Sequence, residues 1–161
     1  MKNSSDYVLV ANEASMDLGR KLAEAMGLPL TRLIRKQFGD GEIYHAFPED
    51  IAGKILIVVG STHDQDSHQE LMDLIQGGRY FNAASVNVVI PYLGYSTMER
   101  SQRGLFEIPK GVTRTRQIFR ARPDFVAFVD LHSEAVLHAH GGDVSTKHIW
   151  TGELVVEHLR G

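Results

Sequence analysis

Residues 85–100 read SVNVVIPYLGYSTMER, a short apolar run that gives way to a loop of proline, glycine, tyrosine and polar side chains. Valine and isoleucine branch at Cβ and suit extended backbone, so SVNVVI bounded by Pro91 reads as a buried strand. Similar runs recur outward from it, giving candidate strands Tyr7 to Ala11, Arg32 to Gln37, Lys54 to Gly60, Val86 to Pro91 and Phe125 to Leu131. Longer amphipathic stretches lie between them and predict helices over Ser15 to Met26, Ser67 to Asn82, Gly111 to Arg120 and Thr151 to Leu159. This alternation predicts an α/β fold in which helices cover both faces of a mostly parallel sheet. An extended piece, Glu42 to Phe47, predicts a hairpin or flap.

In the first helix Leu18, Leu22 and Ala25 are spaced to form one core face, and Gly27 followed by Pro29 is a stop signal. In the second, Leu71, Leu74 and Ile75 share a face, while Gly77 and Gly78 each cost about 1 kcal/mol relative to alanine. Close packing on the sheet is the expected return. At 161 residues the chain fits one domain, read as a single unit over 1–161 that ends at a domain edge. With no cysteine, disulfides and thiolate metal sites are excluded, and a cytoplasmic location is expected. A net charge of -3, from 17 basic and 20 acidic residues, gives no overall pull toward nucleic acid or membrane, and neither is expected as a partner.

The carboxyl ends of parallel strands share one edge, where ligands of open α/β sheets settle. The tips here are ANEAS (11–15), GSTHD (60–64), PYLGYSTMER (91–100) and DLHSE (130–134). Strand alternation puts Asp130 and His132 on one side. The pair could hold a divalent cation, Asp130 could orient the imidazole, or the two could simply end a strand. In QFGDGEIYHAF, Gly39 and Gly41 make a turn around Asp40, with Phe38 before and Glu42 after. An aromatic face stacks on a purine and carboxylates accept from its exocyclic amine, although a solvated turn looks the same locally.

In order and spacing, FGDGEIY, KILIVVGST, the helix with ELMDL, VIPYLGY and FVDLHSE resemble the amino-terminal half of ribose-phosphate pyrophosphokinase. The resemblance covers nearly the whole chain. It implies a phosphoribosyltransferase-like three-layer domain, normally followed by a second domain and assembled into homo-oligomers. It also implies transfer of diphosphate from ATP to ribose 5-phosphate with magnesium. On that likeness Phe38, Asp40 and Glu42 would contact adenine in a neighbouring subunit's site, Arg100 would lie near the phosphates, and His132 with Asp130 would hold the metal.

There are departures. Members of the family usually carry Arg and Gln where this chain has Thr97 and Met98, and asparagine where it has His68. Threonine and methionine cannot offer a guanidinium's fixed, charged donors to phosphate. The ribose 5-phosphate loop belongs to the second domain, and no acidic-Thr-Gly-Gly segment occurs here, so no catalytic residue is assigned and the chain is expected to be inactive alone. A non-catalytic regulatory or oligomerisation paralogue is the alternative. The chain has no GxxxxGK[ST] segment either.

Four further signals are read conservatively. Arg114, Arg116, Arg120 and Arg122 predict a solvated helix face or an anion contact, with Ile118 and Phe119 turned to the core. His138 and His140 belong to a glycine-flanked loop rather than a zinc site, and Tyr92 and Tyr95 flank Gly94 at the crevice. Trp150 precedes Thr151, a candidate helix cap, and is expected to pack on this domain or a second one.

Overall fold

The computed structural model describes residues 3–102, 104–138 and 142–161. Among the described residues, seven strands and four α-helices follow in the order β1 (Tyr7–Ala11), α1 (Met16–Met26), β2 (Ile34–Gln37), β3 (Ile43–Ala46), β4 (Ile55–Val59), α2 (Gln65–Tyr80), β5 (Ser85–Ile90), α3 (Lys110–Arg120), β6 (Phe125–Val129), β7 (Ser145–Ile149) and α4 (Gly152–Arg160). β1, β4, β5, β6 and β7 form one sheet in that order, and each described pair in it is parallel. A row of valines crosses four strands in register, Val10, Val58, Val88 and Val126, and all four are fully buried. β-Branched side chains stacked this way fill a two-sided sheet efficiently.

One face of the sheet packs Val8, Val10, Leu56, Val58, Val86 and Phe128 against Leu71, Leu74 and Ile75 of α2 and Ile118 and Phe119 of α3. The other packs Leu9, Ala11, Ile57 and Val59 against Ala23 and Leu22 of α1. The expected three layers are present. α2 starts with Asp64 accepting from Ser67 N at 2.8 Å while Ser67 Oγ accepts from Asp64 N at 3.1 Å, a reciprocal cap. A Cβ on Gly78 would stand 2.5 Å from Leu56 Cδ2 and 3.0 Å from Val86, so α2 lies hard against the sheet as its glycines predict. Gly77 faces Phe47 instead.

Two expectations need correction. The inward face of α1 is Gly19 and Ala23 with Leu22 packed beside them, and it leaves out Leu18 and Ala25: Leu18 is 43% exposed and Ala25 is exposed. The cause is proximity, since a Cβ at position 19 would lie 2.6 Å from Ala11 Cβ. No larger residue fits between this helix and β1. The last strand, β7, is absent from the sequence reading because STKHI has no apolar run; it lies at the sheet's edge with alternating exposure. Gly27 ends α1 in the left-handed region at φ +65, as its position predicts.

β2 and β3 form a separate antiparallel hairpin. It lies beside the β1 edge, where Leu30 bridges to Leu9 just before the hairpin begins. Among the described residues no helix is long and apolar enough to cross a membrane.

Candidate functional site

Parallel pairing brings the carboxyl ends of all five sheet strands to one rim. At the β1, β4 and β5 ends the loops are tied to one another. Asn12 is completely buried; its amide donates to Ser61 O at 2.8 Å and Ser67 O at 3.1 Å. Ser15 Oγ accepts from Ser61 N at 2.8 Å. Thr62 N donates to Tyr92 O at 2.9 Å, and Thr62 Oγ1 accepts from Gly94 N at 3.0 Å. A Cβ on Gly94 would stand 1.9 Å from Thr62 O, so the PYLGY loop can lie across its neighbour only because position 94 has no side chain.

Beyond Gly94 the loop turns at Tyr95, which has φ +61. Its ring carries Lys110 Nζ at 5.2 Å and the Arg114 guanidinium at 5.9 Å from the centroid. Arg114 also donates to Gln65 and to Gln117, so this arginine of the basic run faces the rim rather than a broad cationic patch. Ile118 and Phe119 are buried, as expected of that run. Thr97 and Met98 are exposed on the loop. The Arg100 side chain is 87% exposed, with Glu99 Oε1 at 3.8 Å from its Nε.

His68 is buried in α2 and its Nε2 lies 3.0 Å from Gln117 Oε1. Burial holds the imidazole below its ordinary pKa of 6.5, and the nearby Arg114 charge works in the same direction.

DLHS emerges from β6, directly beside β5, where Ile90 pairs with Phe128. PYLGY and DLHS therefore share the rim. The alternation argument for Asp130 and His132 does not hold, because β6 stops at Val129 and Asp130 adopts φ +44. Aspartate tolerates this region better than most residues. Both Asp130 oxygens accept from Thr151, Oδ1 from its backbone N at 2.9 Å and Oδ2 from its hydroxyl. Those two bonds, with the His148 charge nearby, hold the Asp130 carboxyl below the usual range. Thr151 is thus bound by Asp130 and makes no side-chain cap to its own helix.

His132 is exposed in the same loop. Its neighbour Leu131 donates its N–H to His148 Nε2 at 3.0 Å, and His148 Nδ1 lies 2.9 Å from Glu134 Oε1. Glu134–His138 is a 3-10 turn in which His138 is exposed; His140 lies outside the described residues. Among the described residues, no group of three or more His, Asp or Glu side chains is placed to hold a metal ion.

The hairpin turn carries Phe38, Asp40 and Glu42 together. Phe38 N donates to Glu42 O at 2.8 Å, Asp40 Oδ1 accepts from Glu42 N at 3.1 Å, and Gly41 takes φ +94. Phe38 is 51% exposed and meets Tyr44 edge-on. Sequence reasoning passed over the residues that fix this arm. Arg35 of β2 donates to Glu70 Oε1 at 2.8 Å and Ala11 O at 2.7 Å, and Glu70 Oε2 accepts from Glu13 N at 2.8 Å. Glu70 is buried one turn into α2, and no local pattern pairs it with Arg35, 35 positions away. A groove of about 700 Å³ runs between hairpin, first tip and α2, lined by Glu13, Arg35, His45, Asp64 and Glu70 among others. Neither Phe38 nor Arg100 lines it.

Fold and rim define a three-layer parallel α/β domain with polar loops gathered over its strand ends and a rigidly rooted hairpin arm. Residues 7–110 match the family described as the N-terminal domain of ribose phosphate pyrophosphokinase, and the chain belongs to that family. Ribose-phosphate pyrophosphokinase of Thermoplasma acidophilum is 29% identical over 130 residues, covering 80% of this chain and 44% of that protein. The chloroplastic ribose-phosphate pyrophosphokinase 1 of rice, Oryza sativa subsp. japonica, is 27% identical over 161 residues, covering 99% of this chain and 40% of the other. The crystal structure of phosphoribosylpyrophosphate synthetase from Mycobacterium smegmatis matches with a TM-score of 0.83 at 22% identity, covering 95% of this chain and 51% of that one. The chain spans about half the length of the relatives it matches, or somewhat less.

Proposed function

We propose that this chain is the ATP-binding half of a ribose-phosphate diphosphokinase. The whole enzyme would transfer the β,γ-diphosphoryl group of ATP to the 1-hydroxyl of ribose 5-phosphate, held by a second domain. Support comes chiefly from one observation: PYLGY and DLHS leave adjacent strands on a common rim. Over that rim Arg100 offers phosphate oxygens a well-exposed guanidinium. The Phe38 turn belongs to the β1 side, and three strand spacings, roughly 14 Å, separate β1 from β6. An adenine clasped by Phe38, Asp40 and Glu42 is therefore better served by a second copy's rim, so the working unit is a homo-oligomer. The absence of cysteine suits a cytoplasmic enzyme.

Asp130 is ionised and spends one lone pair of each oxygen on Thr151, leaving others for a cation, while the exposed His132 can supply a nitrogen. These groups fit magnesium as supplements to phosphate oxygens, not as a full coordination sphere. When bound, the ion neutralises the charge of the phosphates. This chain's own residues stack the base, orient the phosphate chain and position the loops.

Titration calorimetry with ATP and magnesium tests the binding. We expect weak heat from the chain, lost in Phe38→Ala. Restoring Thr97→Arg with Met98→Gln should strengthen binding about 10- to 100-fold, the worth of one added charged hydrogen bond. Both positions are exposed and can accept the larger side chains. Fusion to the second half of a relative should yield phosphoribosyl pyrophosphate; a folded fusion that binds ATP yet makes none would favour the non-catalytic paralogue, to which Thr97 and Met98 already point. No heat in any variant would end the ATP reading.

A further inference from the structure

Lys110 begins α3, where the positive end of the helix dipole disfavours a cation, and no acidic residue stands in that turn to balance it. Arg114 follows four residues later, so two like charges lie one turn apart on the same face. Both meet one ring. Lys110 Nζ lies 5.2 Å and the Arg114 guanidinium 5.9 Å from the centroid of Tyr95, the last residue of PYLGY. Among the described residues neither cation is ion-paired, whereas Arg35 and Arg79, which tie elements together, lie 2.8 and 2.6 Å from Glu70 and Asp124. The hydrogen-bond partners of Arg114 are neutral: Nη1 donates to Gln117 Oε1 at 3.3 Å and Nη2 to Gln65, at the start of α2. Gln117 is fixed in turn by the buried His68, whose Nε2 lies 3.0 Å from the same oxygen. The guanidinium is thus held in place with its charge uncompensated and three of its five N–H donors unspent.

We propose that Lys110 and Arg114 form the anion subsite of the rim, positioning the phosphate chain of the nucleotide and making phosphate number the property by which the site selects its ligand. This rests on the ATP reading above. A polyphosphate supplies oxygens for the unspent N–H donors and negative charge against the lysine, the arginine and the helix end together. The rest of the loop offers less. Thr97 has a single hydroxyl, Met98 has no charge, and the Arg100 side chain is 87% exposed. Lys110 and Arg114 are anchored instead, by a ring and two amides, so less side-chain freedom is lost when an anion is taken. Gln65 follows the β4 tip and Tyr95 belongs to the β5 tip, which places the pair beside two of the loops gathered over the strand ends. Arg120, farther along α3, is exposed and serves as the comparison.

Titration calorimetry of the full chain tests it, with three probes: ATP and AMP, each with magnesium, and inorganic tripolyphosphate alone. Arg114→Gln removes the charge and should weaken ATP and tripolyphosphate about 10- to 100-fold while narrowing the preference for ATP over AMP. Lys110→Gln should weaken the same two probes about threefold. Arg114→Lys keeps the charge without the fork and should recover part of the loss, which a purely structural tie to Gln65 and Gln117 would not. Arg120→Gln makes the same change in net charge and should leave all three probes unchanged; circular dichroism checks the fold of each variant. Arg114→Gln and Lys110→Gln chains that bind ATP as wild type does overturn the proposal and leave the ATP reading standing. Equal losses for ATP and AMP, with no recovery in Arg114→Lys, reduce Arg114 to a structural tie and also overturn it. A wild type that holds tripolyphosphate through Arg114 but ignores ATP supports the subsite and sinks the ATP reading instead. No heat with either ends both.

Discussion

Asn12, at the end of β1, is completely buried and joins two neighbouring segments through its side chain, whereas Asp130, at the end of β6, is exposed and reaches across to Thr151. The contrast extends along the rim. From β1 to β5 the loops interlock through Ser15, Ser61, Thr62 and Gly94, with helices tight beneath them. From β6 to α4 the ties between loops are fewer, Asp130 to Thr151 and Leu131 N to His148 Nε2, and the final helix buries nothing. A rim region packed on itself can hold a ligand's position with little rearrangement, and the β6 side has fewer such ties.

The sharpest way to break this contrast is Gly94→Ala. The new methyl would collide with Thr62 O, so the β4 and β5 loops must separate. We expect a loss of about 3 kcal/mol or more, read from urea unfolding followed by fluorescence of the single Trp150 and by circular dichroism. A loss below about 1 kcal/mol would show that the interlocked region is looser than the geometry says. Next comes Asn12→Ala, which strips Ser61 O and Ser67 O of a donor in a buried setting. About 2 kcal/mol is expected by the same measurement.

On the other side, Asp130→Ala should cost less than either of these, since it removes only a solvent-exposed contact at a helix start. Its signature is spatial: hydrogen exchange should quicken in α4 and β7 and stay unchanged in β1 and β4. The smallest effect is the pH dependence due to His68. Its folded pKa lies below 6.5, so the unfolded chain binds more protons in the window between the two values. The His68 contribution is present in full above pH 6.5 and fades as pH falls toward the folded pKa. Comparing wild type with His68→Asn between pH 7.5 and 5 should show a shallower slope in the variant.

The same contrast governs how far the sequence could be read. β1 falls on its expected boundaries, and the strands of the central sheet betray themselves because burial on both faces demands unbroken apolar runs. β7 escapes because an edge strand needs few such residues, and Lys147 with Ser145 suits solvent. On α1 the expected face holds for Leu22 and fails for Leu18 and Ala25. Ser15, Gly19 and Ala23, four apart, carried the true signal, since close approach to Ala11 is what decides that contact. At the rim, the tip loops were legible as polar segments after apolar ones, and the Phe38 turn as a glycine-flanked motif. The partners of Asp130 were not, because a left-handed residue redirects the chain and Thr151 lies 21 positions away. Arg35 and Glu70, 35 residues apart, were equally invisible to local pattern.

All-parallel pairing has a temporal consequence. Tyr7 meets Ile55, so β1 has no sheet partner until residues through Val59 have been synthesised. At roughly 5 to 20 residues per second, the nascent first strand waits several seconds in the open. The β2–β3 hairpin, whose Gln37 and Ile43 pair across a short turn, can close on the microsecond scale within that interval. The arm can therefore begin to pair before the body that will carry it, although a lone two-stranded hairpin is only marginally stable until Glu70 arrives to take Arg35.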